Sequence, residues 1–295
     1  MKWLSGLAAV MALSTAGAPS MVVPPAPVSI DIVAVVAGTP FQCGRAYPGV
    51  GTTRSTMAIS ELKLFISQVR VVGSDGRETP VTLTQDGVWQ NGGVALLDFE
   101  DGTGDCSNGT PETRRVIEGT VPADGAYVGL RFDLGLPFDV NHRDPTLQPS
   151  PLNLTRMFWN WNGGYKFVRI DLKSTGQPRG ASVHLGSTGC TPRQGPTTVP
   201  LQCANENRAS IVLPAFNAAR QAVQFDLAAL LANTNLDVNT PDTPAGCMAT
   251  TSDPDCAGIF AALGLPFGAT ARPVDQRVFT AVARGGLTAS PARPR

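Results

Sequence analysis

The sequence predicts an all-β protein, mainly an antiparallel β-sandwich or a barrel-like fold, with long loops, two short helices and disulfides. Short segments in which apolar and polar residues alternate, as on a half-buried strand, recur along the chain. The 31 Gly and 25 Pro among 295 residues favour frequent turns over long helices. Six cysteines form an even set that can cross-link such a fold.

The first residues are typical of a signal peptide, predicted here for residues 1–18. Lys2 gives a basic start, residues 3–13 are almost wholly apolar and carry no charge, and Ala16-Gly17-Ala18 fits the small-residue cleavage pattern. The apolar run is shorter than the roughly 20 residues that cross a bilayer, so no membrane span is expected. We therefore expect a periplasmic or secreted protein with a linker at 19–27, a single β domain at 28–285 and a flexible tail at 286–295.

Strands and helices are assigned from the period of the apolar residues. Period-two alternation predicts strands at 29–36, 57–72, 81–83, 94–99, 127–134, 166–172, 182–185 and 210–213. Alanine-rich segments at 222–232 and 257–263 are predicted to be the two short helices. Turn residues separate the strands, which favours antiparallel connections.

The cysteines are predicted to form disulfides, because an exported chain folds in an oxidising compartment. They are Cys43, Cys106, Cys190, Cys203, Cys247 and Cys256. None has the close spacing of a structural zinc site. Six cysteines allow 15 pairings. The simplest scheme joins neighbours: 43 with 106, 190 with 203, and 247 with 256.

Charge and motifs exclude several classes of function. Lys and Arg total 23, as do Asp and Glu, so electrostatics gives no support for a nucleic-acid partner. The sequence contains no GxSxG, HExxH or P-loop motif. Its acidic residues show no paired-carboxylate spacing. We therefore predict that the protein is not an enzyme and has no catalytic residues.

The candidate metal ligands are the two histidines, His142 and His184. Imidazole is the commonest neutral nitrogen ligand of copper, zinc and iron, and two rings from separate segments can converge on one ion. Taken alone, the composition favours the alternative, that each is an ordinary polar residue at the surface.

An aromatic cluster at 157–161 offers further candidates. Trp159 and Trp161 are two residues apart, so they share one face of a strand and can pack the core, line a pocket or form a redox pair. An intact indole only donates hydrogen bonds, so ligation by either ring requires its chemical modification. Met157 carries a thioether that suits Cu(I), although methionine more often fills gaps in a core.

Several short strings, in order along the chain, resemble the MbnP-like copper-binding family, the four-Cys motif proteins of the metallo-mystery pair system. They are FQCG at 41–44, LLDFEDG at 96–102, LGLPF at 134–138, NH at 141–142, PLN at 151–153, MFWNW at 157–161, GYKF at 164–167, HLGSTGC at 184–190 and GCM at 246–248. The resemblance extends from about residue 29 to residue 280 and so covers nearly all of the predicted domain.

The resemblance implies an exported β-rich protein that binds copper and is encoded with a dihaem cytochrome c peroxidase-like (MbnH-like) partner. That partner oxidises a tryptophan to kynurenine, which joins two histidines at the metal. Carried over to this sequence, the ligands are His142 and His184, and the modified residue is Trp159 or Trp161. The four family cysteines correspond to Cys190, Cys203, Cys247 and Cys256, with Cys43 and Cys106 as an additional pair.

A second function stays open at this point. The chain can instead be a secreted β-sandwich module that binds a ligand or a protein without metal, with the two tryptophans as a stacking platform. Exposed, intact tryptophans and widely separated histidines would favour that alternative. A third possibility, a hydrolase, requires a nucleophile beside one histidine in a cleft, and no residue of the sequence marks one.

Overall fold

The computed structural model describes residues 24–123, 125–160, 162–191, 199–268 and 275–285. Strands make up 43% and helices 10% of it, so the prediction of an all-β fold is confirmed. The predicted signal peptide, the start of the linker, the C-terminal tail and Trp161 lie outside the described residues. Within the described ranges, no helix is long and apolar enough to cross a membrane.

The strands are mostly short, with one exception of 19 residues. They are β1 (Ala26–Val36), β2 (Thr39–Pro40), β3 (Ala46–Val50), β4 (Ser55–Gly73), β5 (Glu78–Pro80), β6 (Thr82–Leu83), β7 (Gln90–Asn91), β8 (Val94–Asp98), β9 (Val116–Val121), β10 (Tyr127–Leu134), β11 (Phe158–Asn160), β12 (Gly164–Tyr165), β13 (Val168–Ser174), β14 (Ala181–Leu185), β15 (Thr188–Thr191), β16 (Gln202–Asn205), β17 (Ala209–Leu213), β18 (Gln221–Asp226), β19 (Gly246–Cys247) and β20 (Phe279–Ala283). The α-helices are α1 (Phe138–Asn141), α2 (Leu227–Leu231) and α3 (Ala257–Ala262), and short 3₁₀ helices lie at Pro145–Leu147, Thr155–Met157 and Pro254–Cys256.

Two large sheets form the body of the molecule. The smaller has the order β20-β18-β1-β9-β6, with β2 paired to β1. The larger has the order β17-β10-β4-β13-β14-β19, and β3, β5 and β8 also pair with β4. The pairs β1–β18 and β14–β19 are parallel, whereas the other described pairs are antiparallel. The sheets do not close into a barrel.

The two sheets pack against each other through one apolar core. Buried residues of β1, β18 and β20 belong to the same cluster as buried residues of β4, β10, β13 and β14. The rings of Phe132 on β10 and Phe279 on β20 meet edge to face, with their centroids 5.5 Å apart. Such burial of large apolar side chains is the main source of stability, at about 25 cal/mol per Å² of apolar surface removed from water.

The disulfides follow the neighbour scheme. Cys43 bonds Cys106, Cys190 bonds Cys203, and Cys247 bonds Cys256. No described cysteine is free. The pairs lie in different parts of the fold, so each restrains a separate loop region.

One predicted helix is wrong in its first half. Residues 222–226 belong to β18, and only Leu227–Leu231 is helical. The strand forms because residues of β18 pair on both sides, with β1 and with β20, which outweighs the helical preference of alanine. The Asp226 carboxylate then accepts the Ala228 N–H at 2.9 Å and so caps the start of α2.

A third helix, α1, was not expected from the sequence. It has four residues and follows Pro137, and His142 is its C-terminal cap. A single turn of this length carries too few apolar positions to produce a detectable helical period. The helix matters for the site because it ends at His142 and places this residue in the interior.

Candidate metal centre

His142 is held at the end of α1 with only 2% of its surface exposed. Its ring lies against Phe138, with 4.7 Å between the ring centroids. Its Nε2 is 3.4 Å from Sγ of Cys203 and 3.3 Å from Nδ2 of Asn141. His142 is therefore a buried imidazole held by its neighbours, and not the surface residue that the composition of the chain alone suggested.

Asn141 ties this segment to the neighbouring strands. It is completely buried, and its Oδ1 accepts the backbone N–H of Tyr165 at 2.8 Å. Its Nδ2 donates to the Gly163 carbonyl and to Oγ of Ser187, both at 3.3 Å. Because the buried amide forms hydrogen bonds through both its oxygen and its nitrogen, it fixes the backbone next to His142.

The disulfide between Cys190 and Cys203 packs against His142. In the described part of the chain, His142, Cys190 and Cys203 are the one group of three His, Cys, Asp or Glu residues whose donor atoms all lie within 4.8 Å of one another. Both sulfurs are joined in a disulfide, and the thiolate is the form that ligates metals. The group is therefore a support for His142 and not a complete site.

His184 lies on β14 of the large sheet. Val183 and Leu185 point into the core, so His184 occupies the opposite face, where it is 8% exposed. Its Nε2 is 2.8 Å from Oδ1 of Asp171 on β13. No described residue bonds its Nδ1. A carboxylate at Nε2 favours the tautomer that carries hydrogen there, which leaves the lone pair on Nδ1.

Asp171 is kept ionised by its neighbours. Burial by itself would raise the pKa of this carboxyl, but hydrogen bonds from His184 and Ser182 and the positive charge of Arg169 hold the pKa well below its ordinary value. Arg169 reaches Asp171 at 3.1 Å and Glu61 at 3.2 Å. The face of the sheet that carries His184 thus holds an ionised carboxylate in hydrogen-bond contact with Nε2 of the ring.

A second ion cluster lies beside it on the same sheet. Lys63 on β4 pairs with Asp98 at 3.2 Å and makes a close contact with Glu100. Glu100 is fully buried and also accepts the Leu62 N–H at 2.6 Å. Burial raises the pKa of Glu100 to about 7, against the opposing effect of the Lys63 ammonium. This carboxyl therefore binds its proton more tightly in the folded chain than in the unfolded chain.

The raised pKa of Glu100 predicts a pH dependence of stability. Its contribution is fully present below the ordinary pKa of 4.5 and is lost as the pH rises toward about 7. We expect the free energy of unfolding to contain a component, on the order of 1 to 3 kcal/mol, that disappears across this range and is absent in Glu100→Gln. Urea unfolding at a series of pH values measures it. Glu118→Gln, at a half-exposed carboxylate, is the control. If the free energy of unfolding of Glu100→Gln depended on pH as that of the wild type does, the prediction would be contradicted.

Trp159 packs its six-membered ring against two glycines. A Cβ on Gly186 would lie 2.6 Å from Cζ3 of this ring, and a Cβ on Gly163 would lie 3.3 Å from Cε3. Trp159 is half-buried and contacts the main core. It therefore covers the chain two residues beyond His184, at a place where only glycine leaves room.

Gly186→Ala is expected to displace the Trp159 ring. The added methyl would also lie 2.7 Å from the Tyr165 carbonyl oxygen, so neither neighbour can yield easily. Overpacking of this kind typically costs about 1 to 3 kcal/mol. Tryptophan fluorescence and urea unfolding measure the two effects. Gly93→Ala, where an added Cβ meets nothing within 4 Å, is the matched control, and equal stability of the two variants would overturn this account.

Contacts of the segment 184–187 connect His184 with Trp159 and with the residue next to His142. His184 is part of it, Trp159 lies over Gly186, and Asn141, next to His142, bonds Ser187. Met157 is fully buried in a second apolar cluster with Phe65, Leu136, Leu152, Tyr165 and Phe167. Trp161, the other candidate for modification, lies outside the described residues.

The sequence did not identify Asp171 or Asn141 as parts of this arrangement. Asp171 was one of several scattered acids, and only the register of β13 and β14 brings it next to His184. The alternation of Arg169, Asp171 and Lys173 was a usable signal, because it places their side chains on the polar face of β13.

Comparison with known proteins identifies the family. A sequence model of the MbnP family matches residues 25–249. The chain belongs to the MbnP family. A solved structure, MbnP from Methylosinus trichosporium, superposes with a TM-score of 0.79 at 33% sequence identity. The match covers 89% of this chain and 100% of that one. Among curated proteins no sequence matches.

The MbnP match contains the whole candidate centre. Residues 25–249 include His142, His184, Trp159, Trp161 and Asp171. All cysteines except Cys256 also fall inside the matched range. The resemblance to the MbnP family that was recognised in the sequence is thus confirmed.

Proposed function

We propose that this MbnP-family chain is an exported copper-binding protein, periplasmic or secreted, without catalytic activity. Its copper is held by His142 and His184, together with a tryptophan oxidised to kynurenine. The observation that carries the proposal is the geometry of His184, whose Nε2 is engaged by Asp171 at 2.8 Å while no described residue bonds Nδ1. This is the arrangement in which histidines commonly serve as metal ligands.

The chemistry of the donors fits copper. Imidazole nitrogens suit borderline metals such as copper, whereas Ca²⁺ and Mg²⁺ prefer oxygen ligands. Three disulfides fit a chain that folds in an oxidising compartment, where reduced thiolates do not compete for the metal.

The oxidised tryptophan supplies the missing donor. An intact indole has no lone pair to offer, whereas kynurenine has a ketone and an aromatic amine. Trp159 lies over the segment that carries His184, which supports it as the modified residue, and Trp161 is the alternative. A dihaem cytochrome c peroxidase-like (MbnH-like) partner would provide the oxidising equivalents.

Peptide mass spectrometry on protein from the native host tests the proposal. Conversion of tryptophan to kynurenine adds about 4 Da to the peptide that contains Trp159 and Trp161. We expect this shift in protein that co-purifies with copper, and its absence in protein made without the partner. Intact tryptophans together with an absence of copper would contradict the proposal.

The metal-free alternative is a secreted module that binds a ligand or a protein through its tryptophans. Its stacking platform requires an exposed ring face. Trp159 instead packs against Gly163, Gly186 and the main core, so the described geometry supports the copper proposal over this alternative.

A further inference from the structure

We propose that Asp171 is the positioning residue of the metal centre, which fixes the tautomer of His184 so that Nδ1 faces the copper. This inference rests on the proposed function for the identity of the metal. The hydrogen bond on which the inference is based does not depend on the metal: Oδ1 of Asp171 accepts the Nε2–H of His184 at 2.8 Å. If the ring carried its hydrogen on Nδ1, two lone pairs would face each other across that distance.

The register of the sheet produces this contact. Residues of β13 and β14 pair so that Arg169 lies opposite His184 and Asp171 lies opposite Ser182. Asp171 is therefore diagonal to His184 on the same face, a separation that a histidine side chain can bridge. Both residues sit on paired strands and not on loops, so their relative position is fixed by backbone hydrogen bonds.

Asp171 is itself held at both carboxylate oxygens. Oδ1 accepts the hydroxyl of Ser182 at 2.6 Å in addition to His184. Oδ2 accepts from Arg169, whose Nε lies at 3.3 Å and Nη2 at 3.1 Å. Arg169 is in turn paired with Glu61. The carboxylate cannot rotate away from His184 without breaking these bonds, which is what positioning a ligand requires.

The tautomer of His184 can be measured directly in the chelator-treated protein by ¹⁵N NMR. The chain has only two histidines, so one His142→Gln variant assigns the signals. We expect His184 to carry its hydrogen on Nε2 in the wild type and to lose this preference in Asp171→Ala. A wild-type spectrum with the hydrogen on Nδ1 would overturn the inference, whatever the copper affinity.

Copper affinity is the second readout, measured by competition with a chromophoric chelator on protein from the native host. Removing an outer carboxylate of a ligating histidine typically weakens metal binding by about 10- to 100-fold. We expect a loss of that size in Asp171→Ala and a smaller one in Asp171→Asn, which keeps an acceptor oxygen and the shape of the side chain. Unchanged affinity in both variants would overturn the inference.

Asp133→Asn is the matched control. Asp133 lies on β10 of the same sheet and pairs with Arg208, but it bonds no histidine. This variant should leave both the tautomer and the affinity unchanged, and a loss as large as that of Asp171→Ala would assign the effect to general destabilisation. A wild type that binds no copper yet shows hydrogen on Nε2 would refute the proposed function while supporting the positioning by Asp171.

Discussion

Replacing His184 by alanine should lower the affinity for copper by at least about 100-fold, since a ligand contributes more than its outer-shell partner does. His142→Ala should have an effect of the same order. His184 and His142 are nearly buried, at 8% and 2% exposure, so each replacement removes a nitrogen donor from the interior. Competition with a copper chelator, using protein purified from its native host, measures the loss.

Urea unfolding serves as the control for these two variants. Removing a buried side chain leaves a cavity, and the cost in stability must be known before a loss of affinity is assigned to ligation. Variants that remain folded at the assay temperature are therefore compared directly. If both single variants retain the copper affinity of the wild type, the two histidines are not the ligands and the proposed site is wrong.

Removing the disulfide between Cys190 and Cys203 is expected to have two effects. The double replacement by serine should cost about 3 kcal/mol of stability, because the bond closes a loop with a sequence separation of 13. It should also weaken copper binding by about 10-fold, since Nε2 of His142 lies 3.4 Å from Sγ of Cys203 and would lose its support. Urea unfolding and chelator competition measure the two effects separately.

The disulfide between Cys247 and Cys256 provides the matched comparison. Its sequence separation is 9, so its removal should cost a similar amount of stability. The described residues show no histidine in contact with its sulfurs, and copper affinity should be unchanged. Equal affinity losses in the two double variants would show that His142 does not depend on its neighbouring disulfide.

Much of the fold was predictable because alternation of apolar residues reports directly which face of a strand is buried. The segment predicted at 127–134 coincides with β10, and the segment at 57–72 lies within β4. β18 was mistaken for helix because the neighbouring residues Ala222 and Val223 are both buried, which interrupts the alternation, and because the strand runs directly into α2. A buried strand and a buried helix cannot be distinguished by periodicity alone.

The candidate site was predictable only in part. Scarcity of histidine drew attention to His142 and His184, and the family strings added the tryptophans. Alternation along β13 could place Asp171 on the polar face, but its contact with His184 could not be predicted, since it depends on a cross-strand register that the sequence does not specify. The support of His142 by a disulfide depends likewise on a contact between residues 61 positions apart.

The long strand β4 has a consequence for the order in which the protein assembles. It pairs with β3, β5, β8, β10 and β13, so its partners extend from Ala46 to Ser174. Pairing across such distances is slow, because the entropy of loop closure is lost before the non-local contacts can stabilise the chain. β14, which carries His184, pairs in turn with β13. A chain that is still folding therefore lacks the contact between His184 and Asp171, and metal uptake should follow folding here, unlike in zinc fingers, where the metal drives it.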